Sequence, residues 1–402
     1  MSTSYLKDKL DTISVSQIPS DIQTPAFIYD ETVIDRLIDS TDLIKHATGC
    51  NVLFSIKAFS FDGTINHMIN RLDGISVSSL FEACLARETI GDKGTIHITT
   101  PGLRRHEVEE ISSLCDFISF NSLGHLKNYG QKVSPKASIG IRCNPRLSFV
   151  DDNRYDPCRE YSKLGVPLEE VGEFFIENDA FISTIEGMHV HTNCDSSDPL
   201  QFFKIVSELD AGASSVLKRM QWINLGGGYL FDEIEDLSPV IESIELLTTK
   251  YGLTVFIEPG ASLIRSAGYL VSSVVDLFTR DGKLIAVLDT TVNHVPEVLE
   301  FGDELEIIGV DEASGSKYIL AGSTCLAGDI FGNYSFPRPL EIGTKIIFKD
   351  VGAYTLAKAH TFNGINLPSV YSRNNLGEVV LEKEFTYQDY ATKWRSTTSV
   401  PI

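Results

Sequence analysis

A chain of 402 residues exceeds one ordinary core and predicts two domains. Its 43% hydrophobic content suits a folded globular protein, and no apolar run approaches the length of a membrane span. With 34 basic against 55 acidic residues, a net charge of -21, it lacks the basic footprint that nucleic acid or an anionic membrane requires, while long-range attraction would favour a cationic ligand. The N-terminal MSTSYLKDKLDTISV is charged early and has no apolar signal core, so a cytoplasmic protein is expected. Seven scattered cysteines with no CxxC pair argue against a disulfide framework and a structural zinc site. Most are expected to be reduced and buried, with Cys194 and Cys325 as exceptions.

After a polar lead-in to Pro25, Ala26 to Tyr29 reads as a strand and Glu31 to His46 as a helix with apolar residues at helical spacing. Strand and helix then alternate. The strands are placed at Val52 to Lys57, Gly74 to Val77, Thr95 to Thr99, Asp116 to Phe120, Ala137 to Cys143, Thr184 to His191, Gln221 to Leu225 and Thr254 to Glu258. Eight continuously apolar strands, each followed by a helix, predict a (β/α)₈ TIM barrel. From about Ser266 short strand-like runs separated by Gly, Asp and Pro turns predict an all-β domain. They are Tyr269 to Phe278, Leu284 to Leu288, Glu304 to Val310, Tyr318 to Ala321, Lys345 to Phe348 and Val379 to Leu381. The fold class is therefore α/β plus all-β. Residues 30–265 form the barrel, 266–402 form the C-terminal β-domain, and 1–29 contribute to the latter.

Polar and glycine signals gather at the C-terminal ends of the barrel strands, where barrel active sites form. Lys57 lies in NVLFSIKAFS, which reads as a buried strand, and a buried amine there either snorkels to solvent or serves as a nucleophile. Arg142 ends the fifth strand. The sixth ends in GMHVHTNC, where His189 and His191 share a face; a metal pair has no third ligand at suitable spacing, and one imidazole could instead stack on a flat cofactor. Gly226, Gly227 and Gly228 follow the seventh strand, where backbone amides can approach a phosphate. Glu258 ends the eighth strand as a carboxylate able to hold a pyridine nitrogen protonated.

A lysine, a stacking imidazole, a phosphate loop and a carboxylate are what pyridoxal 5′-phosphate requires. With FSIKAF, GISVSSLFE, GMHVHTNC, NLGGGY, IEPG, GSTCLAGD and VGAYT, the chain resembles the fold-type III PLP-dependent decarboxylases, which share the alanine racemase-like barrel, over roughly Pro25 to Tyr371. HTNC, CLAGD and NHVPEVLEF look most like the carboxynorspermidine (carboxyspermidine) branch, within polyamine biosynthesis. The resemblance implies that Lys57 bonds the cofactor, that His191 stacks on its ring and that Glu258 pairs with its nitrogen. Cys194, Gly226, Gly227, Gly228 and Tyr354 then reach the phosphate, with Arg142 and Glu82 behind them. It also implies a homodimer in which Cys325 of one subunit donates a proton in the other's site. Asp289, His294 and Asp329, with Glu297 weighed beside them, are candidates for reading a polyamine-like cation. Ala261 stands where relatives often carry a phosphate-binding arginine. Alternatives are decarboxylation of diaminopimelate, ornithine or a specialised-metabolite amino acid, a racemase, a non-catalytic PLP carrier, and a barrel metal hydrolase.

Overall fold

The computed structural model describes residues 15–177, 184–302, 304–310 and 315–396. Residues 1–14, which carry most of the segment behind the cytoplasmic expectation, lie outside the described residues. The described chain divides into two compact units. One is Asp35–Leu263; the other joins the segment ending at Ile34 to the chain from Ile264 onward.

The first unit is a closed parallel barrel. Its strands are Asn51–Ser55, Gly74–Val77, Thr95–Thr100, Phe117–Phe120, Ser138–Asn144, Gly187–Val190, Trp222–Asn224 and Thr254–Ile257. Each pairs with the next, and Thr254–Ile257 pairs back onto Asn51–Ser55. Gly74–Val77, Gly187–Val190 and Trp222–Asn224 are buried throughout, as expected where helices cover the outside and side chains fill the inside. The helices begin on clear local signals. Asp198 caps Pro199–Gly212 by accepting from Leu200 N–H, and Phe202, Ile205, Val206 and Leu209 form its buried stripe. Ser238–Tyr251 carries Pro239 in its first turn and stops at Gly252, whose φ of 72° closes the helix.

The barrel interior has an aromatic floor. Trp222 crosses it, and a Cβ on either Gly140 or Gly187 would collide with the indole, so two strands give up side chains to seat one ring. Trp222 Nε1 donates to Ser138 Oγ at 2.7 Å. Phe117 meets the indole edge-on at 5.3 Å, and His97 stacks on Phe117 at 4.0 Å.

The second unit is built on an eight-stranded sheet. Its main path runs Ile330–Phe336, Ser316–Ala321, Lys283–Leu288, Gly268–Arg280, Ala26–Asp30, Ser369–Arg373 and Val379–Lys383, with Lys345–Phe348 also pairing to Gly268–Arg280. Ala26–Asp30 thus lies inside the sheet, antiparallel to Gly268–Arg280 and parallel to Ser369–Arg373. The expected strand Glu304 to Val310 is reduced to one bridge, Ile307 to Phe348. No helix among the described residues is long and apolar enough to cross a membrane.

Candidate active site

Above the aromatic floor the barrel turns polar. Arg142, His189 and Asn224 occupy one level of neighbouring strands, since Arg142 pairs in register with His189 and His189 with Asn224. Glu258 follows the eighth strand and is 6% exposed. Its two oxygens are held separately: Oε1 meets His189 Nε2 at 2.9 Å, and Oε2 accepts from Asn224 Nδ2 at 3.0 Å. Burial alone would raise the Glu258 pKa, but adjacent His189, its hydrogen bond and the Lys57 charge hold the carboxyl well below its usual range. Burial lowers His189, and its Nε2–H donates to the Glu258 carboxylate. His189 Nδ1 is buried without a partner.

The glycine loop is wedged into this cluster. Gly226 and Gly228 have φ of 71° and 86°, a region that glycine enters without penalty. A Cβ on Gly227 would strike Glu258 O, and one on Gly228 would strike Asn193 O. The loop's amides are not equivalent. Gly226 N–H donates to Asn224 Oδ1 at 2.9 Å and Gly227 N–H to His191 Nδ1 at 3.1 Å. Of the three amides expected at a phosphate, those of Gly226 and Gly227 donate inside the protein, and Gly228 N–H makes no such bond among the described residues. The Gly227 bond also orients His191. Burial pushes that imidazole well below its ordinary pKa, and the Lys57 and Arg142 charges push the same way, so it is neutral.

Lys57 corrects the sequence reading of a lysine inside a buried strand. The strand stops at Ser55, and Lys57 sits in the 3₁₀ turn Ile56–Ala58 with its side chain exposed between buried Ile56 and Ala58. Its charge contributes to the shifted pKa values of Glu82, His191 and Glu258. Glu82 works locally: Oε2 accepts from Ser78 N–H at 2.6 Å, while Ser79 Oγ caps the helix Leu80–Ile90. Arg142 is 7% exposed, its aliphatic stem against Gly165. Cys194 is exposed, and its N–H donates to Asn193 Oδ1. The other exposed thiol is Cys325, while Cys50, Cys115, Cys143 and Cys158 are buried.

The remaining predicted residues lie in the second unit. Asp289 and Asp329, the acids expected to read a cation, each accept hydrogen bonds from backbone N–H and hydroxyl donors of their own unit. Asp289 accepts from Ser272 Oγ, Ser273 N–H and Thr24 Oγ1. Asp329, 2% exposed, accepts from Val292 N–H at 2.8 Å and from both N–H and Oγ1 of Thr324. Asp329 thereby braces the loop that carries Cys325, and Asn363 Oδ1 accepts from Cys325 N–H at 2.7 Å. His294 is buried, with Nδ1 against Thr290 Oγ1 at 2.9 Å and Nε2 without a partner. Both Glu297 oxygens are likewise buried without partners, and burial raises its pKa. Tyr354 takes a left-handed φ of 63° before the short helix Thr355–Lys358.

His189 and Asn224 complete the cluster. Asn224 was not singled out from sequence, although an inward asparagine two residues before a glycine run was the available signal. Chemically, the barrel mouth presents an anionic carboxylate with lone pairs to spare, a neutral imidazole, a backbone amide and an amine. That donor set fits a flat, protonated nitrogen heterocycle bearing a phosphate and an electrophilic carbon. No group of three or more potential metal ligands occurs among the described residues.

A sequence profile described as pyridoxal-dependent decarboxylase, C-terminal sheet domain, matches residues 26–352. The chain is 34% identical over 388 residues to a carboxynorspermidine/carboxyspermidine decarboxylase of Campylobacter jejuni, covering 92% of this chain and 98% of that protein. It is 31% identical over 397 residues to a carboxyaminopropylagmatine decarboxylase of Synechocystis, covering 97% and 99%. The crystal structure of carboxynorspermidine decarboxylase complexed with norspermidine from Campylobacter jejuni matches with a TM-score of 0.84 at 31% identity, over 92% of this chain and all of that one.

Proposed function

This chain belongs to the pyridoxal-dependent decarboxylases, and on that premise we propose that it removes CO₂ from an α-amino acid whose long side chain ends in a polyamine-like cation. The observation that carries the substrate class is the pair of relatives above 30% identity over nearly the whole chain. Their named substrates share one plan, a carboxylated aminopropyl head on a basic tail. The net charge of -21 suits such a cation.

Bound pyridoxal phosphate supplies an electron sink for the bond to the carboxylate. The chain's own residues do the rest. Lys57 would hold the cofactor through its amine. Glu258, kept anionic, would keep a ring nitrogen protonated. His191, kept neutral by its surroundings, would pack against a ring. Gly228 N–H would donate to a phosphate oxygen. Ala261, buried at the start of the short helix Ala261–Ile264, brings no cation to that phosphate. Cys325 of a second copy gives the proton to the substrate carbon, so the working enzyme is a homodimer.

The test is CO₂ release from carboxynorspermidine, carboxyspermidine and carboxyaminopropylagmatine, beside diaminopimelate and ornithine. Turnover of at least one of the first three, abolished with the near-visible absorbance band in Lys57→Ala, is expected. Release from diaminopimelate or ornithine alone would overturn the substrate class. The agmatine substrate carries a guanidinium where the other two carry an amine, so its rank among the three identifies the tail.

A further inference from the structure

One side chain touches both halves of the proposed cofactor site. Asn224 is 1% exposed at the end of the seventh strand. Its Nδ2 donates to Glu258 Oε2 at 3.0 Å, and its Oδ1 accepts from Gly226 N–H at 2.9 Å. Glu258 lies at the ring-nitrogen end, whereas Gly226 opens the loop whose third residue is proposed to meet the phosphate. The two partners also fix the amide's sense. A carboxylate accepts only and a backbone N–H donates only, so the reversed amide would face donor with donor and acceptor with acceptor.

We infer that Asn224 is a positioning residue that couples the two anchoring ends of the cofactor site, holding the Glu258 carboxylate and the glycine loop in register with each other. This rests on the proposed pyridoxal phosphate site. Other contacts cannot replace it. His189 reaches only Oε1 of Glu258, and Gly227 N–H is engaged by His191. Without Asn224, Oε2 would lose its donor and Gly226 N–H its acceptor, both in a buried setting where an unsatisfied polar group is expensive. The eighth strand would still hold Gly226 O through Glu258 N–H at 2.9 Å, so the loop would stay attached while losing its side-chain brace.

Two substitutions separate coupling from general packing. Asn224→Leu keeps the bulk and cuts both bonds. Asn224→Asp keeps the acceptor for Gly226 N–H but sets a second carboxylate against Glu258, where two such groups share one proton. The charged or titratable groups around that pair are Arg142 and His189 from the fifth and sixth strands, His191 just after the sixth, His97 from the third, and Lys57 after the first. With the shared proton present, the introduced carboxyl can donate to Glu258 as the amide did; once it leaves, the two carboxylates repel.

The experiment measures equilibrium binding of pyridoxal phosphate to the cofactor-free protein between pH 6 and 9, with hydrogen exchange at Gly226 as a readout that needs no cofactor. Asn224→Leu is expected to bind at least about tenfold more weakly at every pH, with faster Gly226 exchange, as loss of buried hydrogen-bond partners would give. Asn224→Asp is expected to approach wild-type affinity at the acid end and to lose it as pH rises, while the wild type changes far less. Wild-type affinity in Asn224→Leu, or a pH profile for Asn224→Asp that parallels the wild type, overturns the inference. A wild-type protein that binds no pyridoxal phosphate sinks the proposed site itself, and this inference with it.

Discussion

His97 shows how one buried side chain sets the protein's response to acid. It is 3% exposed, stacked on Phe117 and tilted against Phe256 at 4.5 Å, with Nε2 near Thr95 Oγ1. Burial lowers its pKa to about 3, against about 6.5 for a free imidazole. Between those values the unfolded chain binds a proton that the native barrel refuses, so stability must fall as pH falls. His189 and His191 are shifted in the same direction. Glu258 adds to the trend lower down: its depressed folded value gives stability above the ordinary carboxylate range, lost as pH falls through that folded value. Denaturation midpoints should therefore decline as the pH drops below about 6.5. His97→Phe should decline less steeply, because phenylalanine keeps the stack and removes the refused proton. An acid slope identical to the wild type would contradict this account.

At the scale of strands and turns, the barrel depends on places where a side chain is missing. Gly187 and Gly140 leave room for Trp222, so Gly187→Ala must move either the sixth strand or the indole. Overpacking of this kind destabilises by roughly 1–3 kcal/mol, and a lowered denaturant midpoint with a shifted tryptophan emission in the folded state would register it. A midpoint unchanged from wild type would mean that the floor yields freely. The same elements show what was legible beforehand. The alternation of apolar strands and capped helices can be read from side-chain pattern, and so can glycines and charges at strand ends. Strand termini cannot, because they depend on ladder pairing: Val52 to Lys57 looks like one apolar run, yet the chain turns after Ser55 and brings Lys57 outward. In the second unit Ile330–Phe336, interrupted by Gly332 and Asn333, and Ser369–Arg373, with its polar residues, are not placed as strands from the sequence. Asp289 and Asp329 read from sequence as candidates for binding a cation, and only the fold reveals the backbone and hydroxyl donors aimed at them.

For the whole molecule, the decisive question is whether one chain holds a complete site. Cys325 is an exposed thiol, yet its loop is braced from two directions, by Asp329 through Thr324 and by Asn363 through the Cys325 N–H. A loop held that firmly around an exposed thiol suits the proposed dimer, in which each copy would complete the other's site. Mixing variants tests this directly. In the proposed dimer, Lys57→Ala and Cys325→Ala homodimers would each lack one required group in both sites. After subunit exchange of an equal mixture, about half the dimers are mixed, and one of the two sites in each pairs a native Lys57 with a native Cys325. About a quarter of all sites are then intact, so CO₂ release should recover to about a quarter of the wild-type rate, with a sedimentation profile of dimers throughout. If exchange is verified and activity stays at the level of the separate variants, Lys57 and Cys325 act from the same subunit or Cys325 does not take part, and the shared-site dimer fails.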